Sequence, residues 1–97
     1  MKRNNQFTIK INKEYKWLQY EDTVEACRIL NGAALKLYIY LCSRANNEEL
    51  LFSPKAFCEE MNLSPNSEKN AFAELLKNGY LVNNDVDYYT FRAAKIG

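Results

Sequence analysis

Within five residues, Asn66, Ser67, Lys69 and Asn70 bring together two carboxamides, a hydroxyl and an ammonium. A carboxamide presents a donor beside an acceptor, which matches the open edge of adenine. A hydroxyl bonds a base edge or a phosphate, and an ammonium is drawn to phosphate. A second group follows: Asn83, Asn84 and Asp85, then Tyr88, Thr90 and Arg92. At alternating positions the last three would share one face of an extended strand. Lys10, Lys13 and Lys16 form a third group, able to hold phosphates in a salt-sensitive way. Each group also has a plainer reading. The first and third suit solvated surface, and Asn-Asn-Asp is ordinary turn chemistry. Asp85 and Asp87 would repel a phosphate backbone unless they accept from cytosine amines or orient a neighbouring arginine.

Other chemistries have less to stand on. The chain has no histidine to move protons near neutral pH. Its three glycines are isolated, so there is no phosphate-cradling loop. Glu48-Glu49 and Glu59-Glu60 are adjacent pairs whose side chains diverge. Cys27, Cys42 and Cys58 are odd in number and far apart, which suits three small buried apolar residues better than disulfides or zinc. We therefore expect no catalytic residues, no metal, no cofactor and no small-molecule substrate.

The first group sits in LSPNSEKNAFAELLKNGY, residues 63–80. Ser64-Pro65 is a helix start: the hydroxyl caps a free N–H, and proline suits the first helical position. Ala71, Phe72, Leu75 and Leu76 recur at helical spacing as a buried stripe. Asn66, Lys69, Asn70, Ala73 and Lys77 fall on the other face. Gly79 stands where a left-handed cap belongs, with Tyr80 able to pack back on Leu75. Summed over the helix, Glu68 and Glu74 cancel Lys69 and Lys77. Ser53-Pro54 repeats the start signal and opens a short helix, SPKAFCEEMN. Two helices joined by a tight turn are a helix-turn-helix. YLVNN and YYTFR follow as two strands around a polar tip, Asn83 to Asp87. Helix, turn, helix and hairpin in that order make a winged helix.

Upstream, FTIKI (7–11) alternates like a half-buried strand. Residues 12–21 show no clear period. Asp22 or Thr23 opens a helix through Leu30, with Val24, Cys27 and Ile29 or Leu30 inward. Asn31 caps the next helix, which runs to about Ala45, where Asn46-Asn47 ends it. Only Lys36 is charged between Ala33 and Cys42, so this helix belongs in the centre of the core. LLF (50–52) is a short strand, the third partner of the wing hairpin.

ALKLYIYLCSRANN, LFSPKAFCEEMNLS and the helix ending in ELLKNGYLV resemble the winged helix-turn-helix proteins of bacterial plasmids and phages. The resemblance covers roughly residues 30–93. It implies an α+β winged helix-turn-helix fold, with three to four helices plus a small antiparallel sheet carrying a β-hairpin wing. It also implies double-stranded DNA as partner, in replication initiation, regulation or conjugative transfer. The chain departs from the usual pattern where Pro65 and Asn70 replace common basic residues and Glu68 replaces an apolar one.

With 13 Lys and Arg against 12 Asp and Glu, the net charge is only +1. Residues 1–20 nevertheless carry five cations against one anion, a local +4, and residues 21–30 a local −2. We expect one domain over 1–97 with residues 1–5 disordered, no membrane span, no leader and a cytoplasmic location. A single winged helix of this charge would bind weakly alone, so a homodimer or tandem sites are expected. FTIKI, as an open strand edge, and the aromatic stretch around Trp17 and Tyr20 are the candidate contacts. The competing class is a winged helix used for protein–protein contact, as an adaptor or a phage-type inhibitor, which the near-neutral charge and tyrosine content would suit.

Overall fold

The computed structural model describes residues 6–11, 20–43 and 49–92. Strand β1 is Phe7–Ile11, helix α1 Tyr20–Ile29, helix α2 Gly32–Cys42 and strand β2 Glu49–Phe52. Helices α3 (Pro54–Met61) and α4 (Pro65–Lys77) follow, then strands β3 (Leu81–Asp85) and β4 (Tyr88–Phe91). Four helices and a four-stranded mixed sheet make an α+β winged helix.

The helix starts obey their caps. Ala34 N–H donates to Asn31 Oδ1 at 3.0 Å, Ala56 N–H to Ser53 Oγ at 3.2 Å, and Ser67 N–H to Ser64 Oγ at 3.1 Å. Each bond satisfies a donor that has no partner inside the helix. The end of α4 is a Schellman motif: Tyr80 N–H reaches Leu75 O at 3.0 Å and Gly79 N–H reaches Leu76 O at 3.2 Å. Gly79 has φ +83°, a conformation open to glycine at no steric cost. Asn62 plays the same part after α3 at φ +56°, with Leu63 N–H on Cys58 O.

The sheet order is β2-β1-β4-β3. This corrects three expectations. β1 is central, antiparallel to β2 and parallel to β4, so FTIKI is not an open edge. β2 pairs with β1 and not with the wing hairpin. The sheet is mixed because α1 to α4 lie between β1 and β4 in the chain, and so long a crossover allows them to run parallel. Phe7, Ile9 and Ile11 all point into the core, which explains why β1 holds the middle. Each such burial contributes about 1.5–3 kcal/mol.

The helices cover this apolar face. α2 packs on α4, α3 on α4, and α1 on α2. An aromatic group locks the layers: Phe7 lies 5.0 Å from Phe72 and 5.3 Å from Phe52, and Phe57 lies 5.0 Å from Tyr40. Tyr38 meets Tyr80 edge-on at 5.2 Å. Such edge contacts suit the ring quadrupoles.

Two boundaries differ from expectation. α1 begins at Tyr20, ahead of the start expected at Asp22 or Thr23. Ala26 and, just past the helix end, Leu30 are buried, Ile29 packs against the core, Val24 is half-buried and Cys27 is exposed. Cys58 is buried and Cys42 half-buried. α2 stops at Cys42, where Ser43 Oγ donates to Tyr40 O at 2.6 Å and occupies one of the last carbonyls. Residues 1–5, Lys13, Lys16, Trp17, Asn46-Asn47 and the tail 93–97 lie outside the described residues, as does the side chain of Tyr20. No described helix is long and apolar enough to cross a membrane.

Candidate nucleic-acid interface

Two surfaces carry the candidate residues. On α4, Ala71, Phe72 and Leu75 are buried and Leu76 is half-buried. Asn66, Lys69, Asn70, Ala73 and Lys77 are all exposed, one stripe along a helix of 13 residues, about 20 Å long. The side chains of Asn66, Lys69 and Asn70 engage no partner among the described residues. Ser67 stands apart. It is half-buried, and its Oγ receives a bond from Ser64 Oγ at 3.0 Å, so its hydroxyl belongs to the helix start.

Glu68 changes the electrostatics expected of this helix. It is 1% exposed, the buried charged residue of the described core. The spacing signal was present, because Glu68 lies three and four residues before Ala71 and Phe72 and so falls on the inward stripe. The sequence sum of zero therefore does not describe the outer face. With Glu68 inside and Glu74 half-buried, the fully exposed charges of α4 are Lys69 and Lys77.

The wing is the β3–β4 hairpin. Pairing continues out to Asp85 opposite Tyr88, so the turn is Val86-Asp87, and Asn83, Asn84 and Asp85 belong to strand β3. That is a shorter tip than the run Asn83 to Asp87. Asp87 takes φ +56°, which aspartate tolerates, and this closes the turn in two residues. The register shifts between Asn83 and Asp85, leaving Asn84 as the extra residue of a bulge. The polar side chains here are bonded to one another. Asn83 Nδ2 donates to Asp85 O at 3.2 Å, and Val86 N–H donates to Asp85 Oδ1 at 2.7 Å. Thr90 Oγ1 donates to Asn84 Oδ1. Tyr88 OH donates to Glu49 Oε2 at 3.1 Å, which raises the tyrosine pKa above its ordinary 10.0. The turn is braced from β1 by Thr8 N–H on Asp87 O at 2.9 Å. Outward groups that remain are the Asn84 amide nitrogen and the half-buried Arg92, whose side chain has no partner among the described residues. Val86 at the tip is 84% exposed.

The sheet also joins one basic residue to the wing. Lys10 is exposed and sits opposite Thr90 in the β1–β4 ladder, on the face that Tyr88 and Arg92 share. Phe91, on the alternate face, is buried, and Tyr89 packs against the core. That face looks away from the helices, so the α4 stripe and the Lys10 row are different sides of the molecule. Among the described residues no three His, Cys, Asp or Glu side chains gather as metal ligands.

The sequence matches the family described as "Helix-turn-helix domain" over residues 28–81, a span that opens in the last turn of α1 and closes on the first residue of β3. The match supports DNA binding. No curated protein and no solved structure matches the chain.

Proposed function

The chain belongs to the helix-turn-helix domain family, and from that premise we propose that it is a non-enzymatic, sequence-specific binder of double-stranded DNA. The observation that carries this reading is the α4 stripe: Asn66, Lys69 and Asn70 are exposed and unengaged, on the second helix of the helix-turn-helix, with the neighbouring carboxylate of Glu68 withdrawn into the core. In this reading α4 enters the major groove. Asn66 and Asn70 read adenine edges, Lys69 takes a guanine edge or a phosphate, and Lys77 a phosphate further along the strand. The wing supplies backbone contacts through Arg92 and the Asn84 amide. Ser67, Asn83, Asp85, Tyr88 and Thr90 hold the reading surfaces in shape. Lys10, on the sheet face it shares with Arg92, adds phosphate attraction, and Lys13 and Lys16 follow it in sequence as further cations.

A homodimer on paired or repeated sites suits a surface with so few cations, since two weak half-site contacts add. The resemblance of residues 30–93 to plasmid and phage proteins supports service to a mobile element, in transfer, replication initiation or transcription.

Fluorescence anisotropy against fragments of the protein's own replicon, at low and near-physiological salt, tests the reading. One fragment bound tightly at both salts is the expected result. Weak binding to every fragment that vanishes with salt would leave only sequence-independent attraction and would bring forward a protein-binding role.

A further inference from the structure

Helix α2 is apolar nearly all round, with Lys36 its only charge, and a helix of that composition calls for cover on every side. It does not have it. Leu37, Tyr38 and Leu41 are buried. At 100° per residue, Lys36 and Ile39 fall on the other side of the helix, where Ile39 is 44% exposed and Leu35 beside it is only half-buried. This open side forms one wall of a groove. The other wall is the last turn of α3, at Glu60 and Met61.

We propose that this groove is the docking site for a second copy of the chain, in a two-fold contact where Ile39 of each copy seats between α2 and α3 of the other. The charges argue for self-association over a foreign partner. Lys36 stands on one wall and Glu60 on the facing wall, so a two-fold axis running along the groove sets each copy's Lys36 against the other copy's Glu60, twice. A contact of this kind is self-complementary by construction. No groove residue belongs to α4 or to the wing, so docking leaves both DNA-facing surfaces uncovered. The inference gives the dimer of the proposed function its interface, and it rests on that reading for its purpose.

The test is sedimentation of the full chain without DNA, over a concentration series. The expected result is a monomer–dimer equilibrium that Ile39→Asp shifts to monomer, with the circular dichroism and melting curve of the folded protein retained. Lys36→Glu and Glu60→Lys should each weaken the dimer about tenfold or more, since each turns two attractions into two repulsions. Mixed in equal amounts, these two variants pair every reversed charge with its opposite and should recover wild-type association. A protein that stays monomeric at all concentrations overturns the proposal, and so does a dimer indifferent to Ile39→Asp and to the charge reversals. Specific DNA binding by a pure monomer would sink the groove and spare the DNA reading. A groove-dependent dimer that binds no DNA would do the reverse.

Discussion

Two pairs of asparagines, one on α4 and one on the wing, show how little residue type alone says about recognition. Asn66 and Asn70 are exposed on a regular helix whose own backbone is satisfied, and their amides have no partner among the described residues. Asn83 and Asn84 are equally exposed, yet both are bonded within the hairpin, one to Asp85 O and one to Thr90 Oγ1. A polar group already bonded must give up that bond before it can read a base, so its net gain is small. A group that exchanges only water keeps the usual net gain of about 0.5–1.5 kcal/mol. In the proposed reading the helix therefore discriminates and the wing holds a shape. Charge divides the same way. On α4 the lysines are outside and Glu68 is inside, whereas the wing keeps Asp85 at its exposed end.

Exchanging readers on the two surfaces puts that comparison under the heaviest strain. Lys69→Ala with Asn70→Ala should cost about 2–4 kcal/mol on the preferred site, roughly 30- to 1,000-fold, and weaken binding to unrelated DNA far less, by the loss of one cation. Arg92→Ala should weaken all sequences alike and lower the slope of log affinity against log salt by about 1. Anisotropy on matched and mismatched duplexes reads both. If the double variant keeps its discrimination while Arg92→Ala loses it, the roles of helix and wing are reversed.

The joint between the two surfaces comes next in size. α4 passes to β3 through Gly79 at φ +83°, and a methyl group there would meet no neighbouring atom within 4 Å. Gly79→Ala therefore isolates backbone strain from crowding. It should cost about 1 kcal/mol, seen as a lower urea midpoint at unchanged slope. A midpoint that does not move would mean the left-handed joint is not what ends the helix and aims the hairpin.

What was legible from the sequence is what local chemistry decides. Ser53-Pro54, Ser64-Pro65, Asn31 and Gly79 announce helix ends that the backbone adopts at those residues, because caps and left-handed turns involve neighbours in the chain. The alternation of FTIKI announced a strand, and the parity of Tyr88, Thr90 and Arg92 against Tyr89 and Phe91 announced the two faces of β4. Strand order was not legible, since β1 finds β4 across the whole helical unit and nothing near either strand encodes the pairing. On α1, Leu30 was legible as inward, but Cys27 fits the helical period with it as well as Ala26 does, and Ala26 is the one buried. Glu68 was overlooked for a different reason. Its spacing and the apolar residue usual at its position both put it on the inward stripe, yet it was counted in the charge sum of the helix. A formal charge sum treats every carboxylate as exposed, and burial of a single one takes the outer face of α4 from neutral to positive.

The smallest effect tests how firmly the wing is tied to the rest of the sheet. Tyr88 OH reaches across β1 to Glu49 on β2, and the bond, then burial, then the carboxylate charge raise the phenol pKa above 10.0. Ionising Tyr88 removes the donor and sets an anion beside an anion. With the folded pKa above the unfolded one, the contribution of this bond is complete below pH 10 and fades as pH rises through the folded value. An alkaline absorbance titration, taken as the difference between wild type and Tyr88→Phe, should show this phenol ionising late. Glu49→Gln should bring it back towards its ordinary value, since it removes both the anionic acceptor and its charge. The brace is exposed and the stability at stake is small, so DNA affinity at neutral pH should stay where it was in Glu49→Gln. A marked loss of affinity there would mean that the wing's attachment to β2 takes part in recognition, and that the hairpin does more than hold its shape.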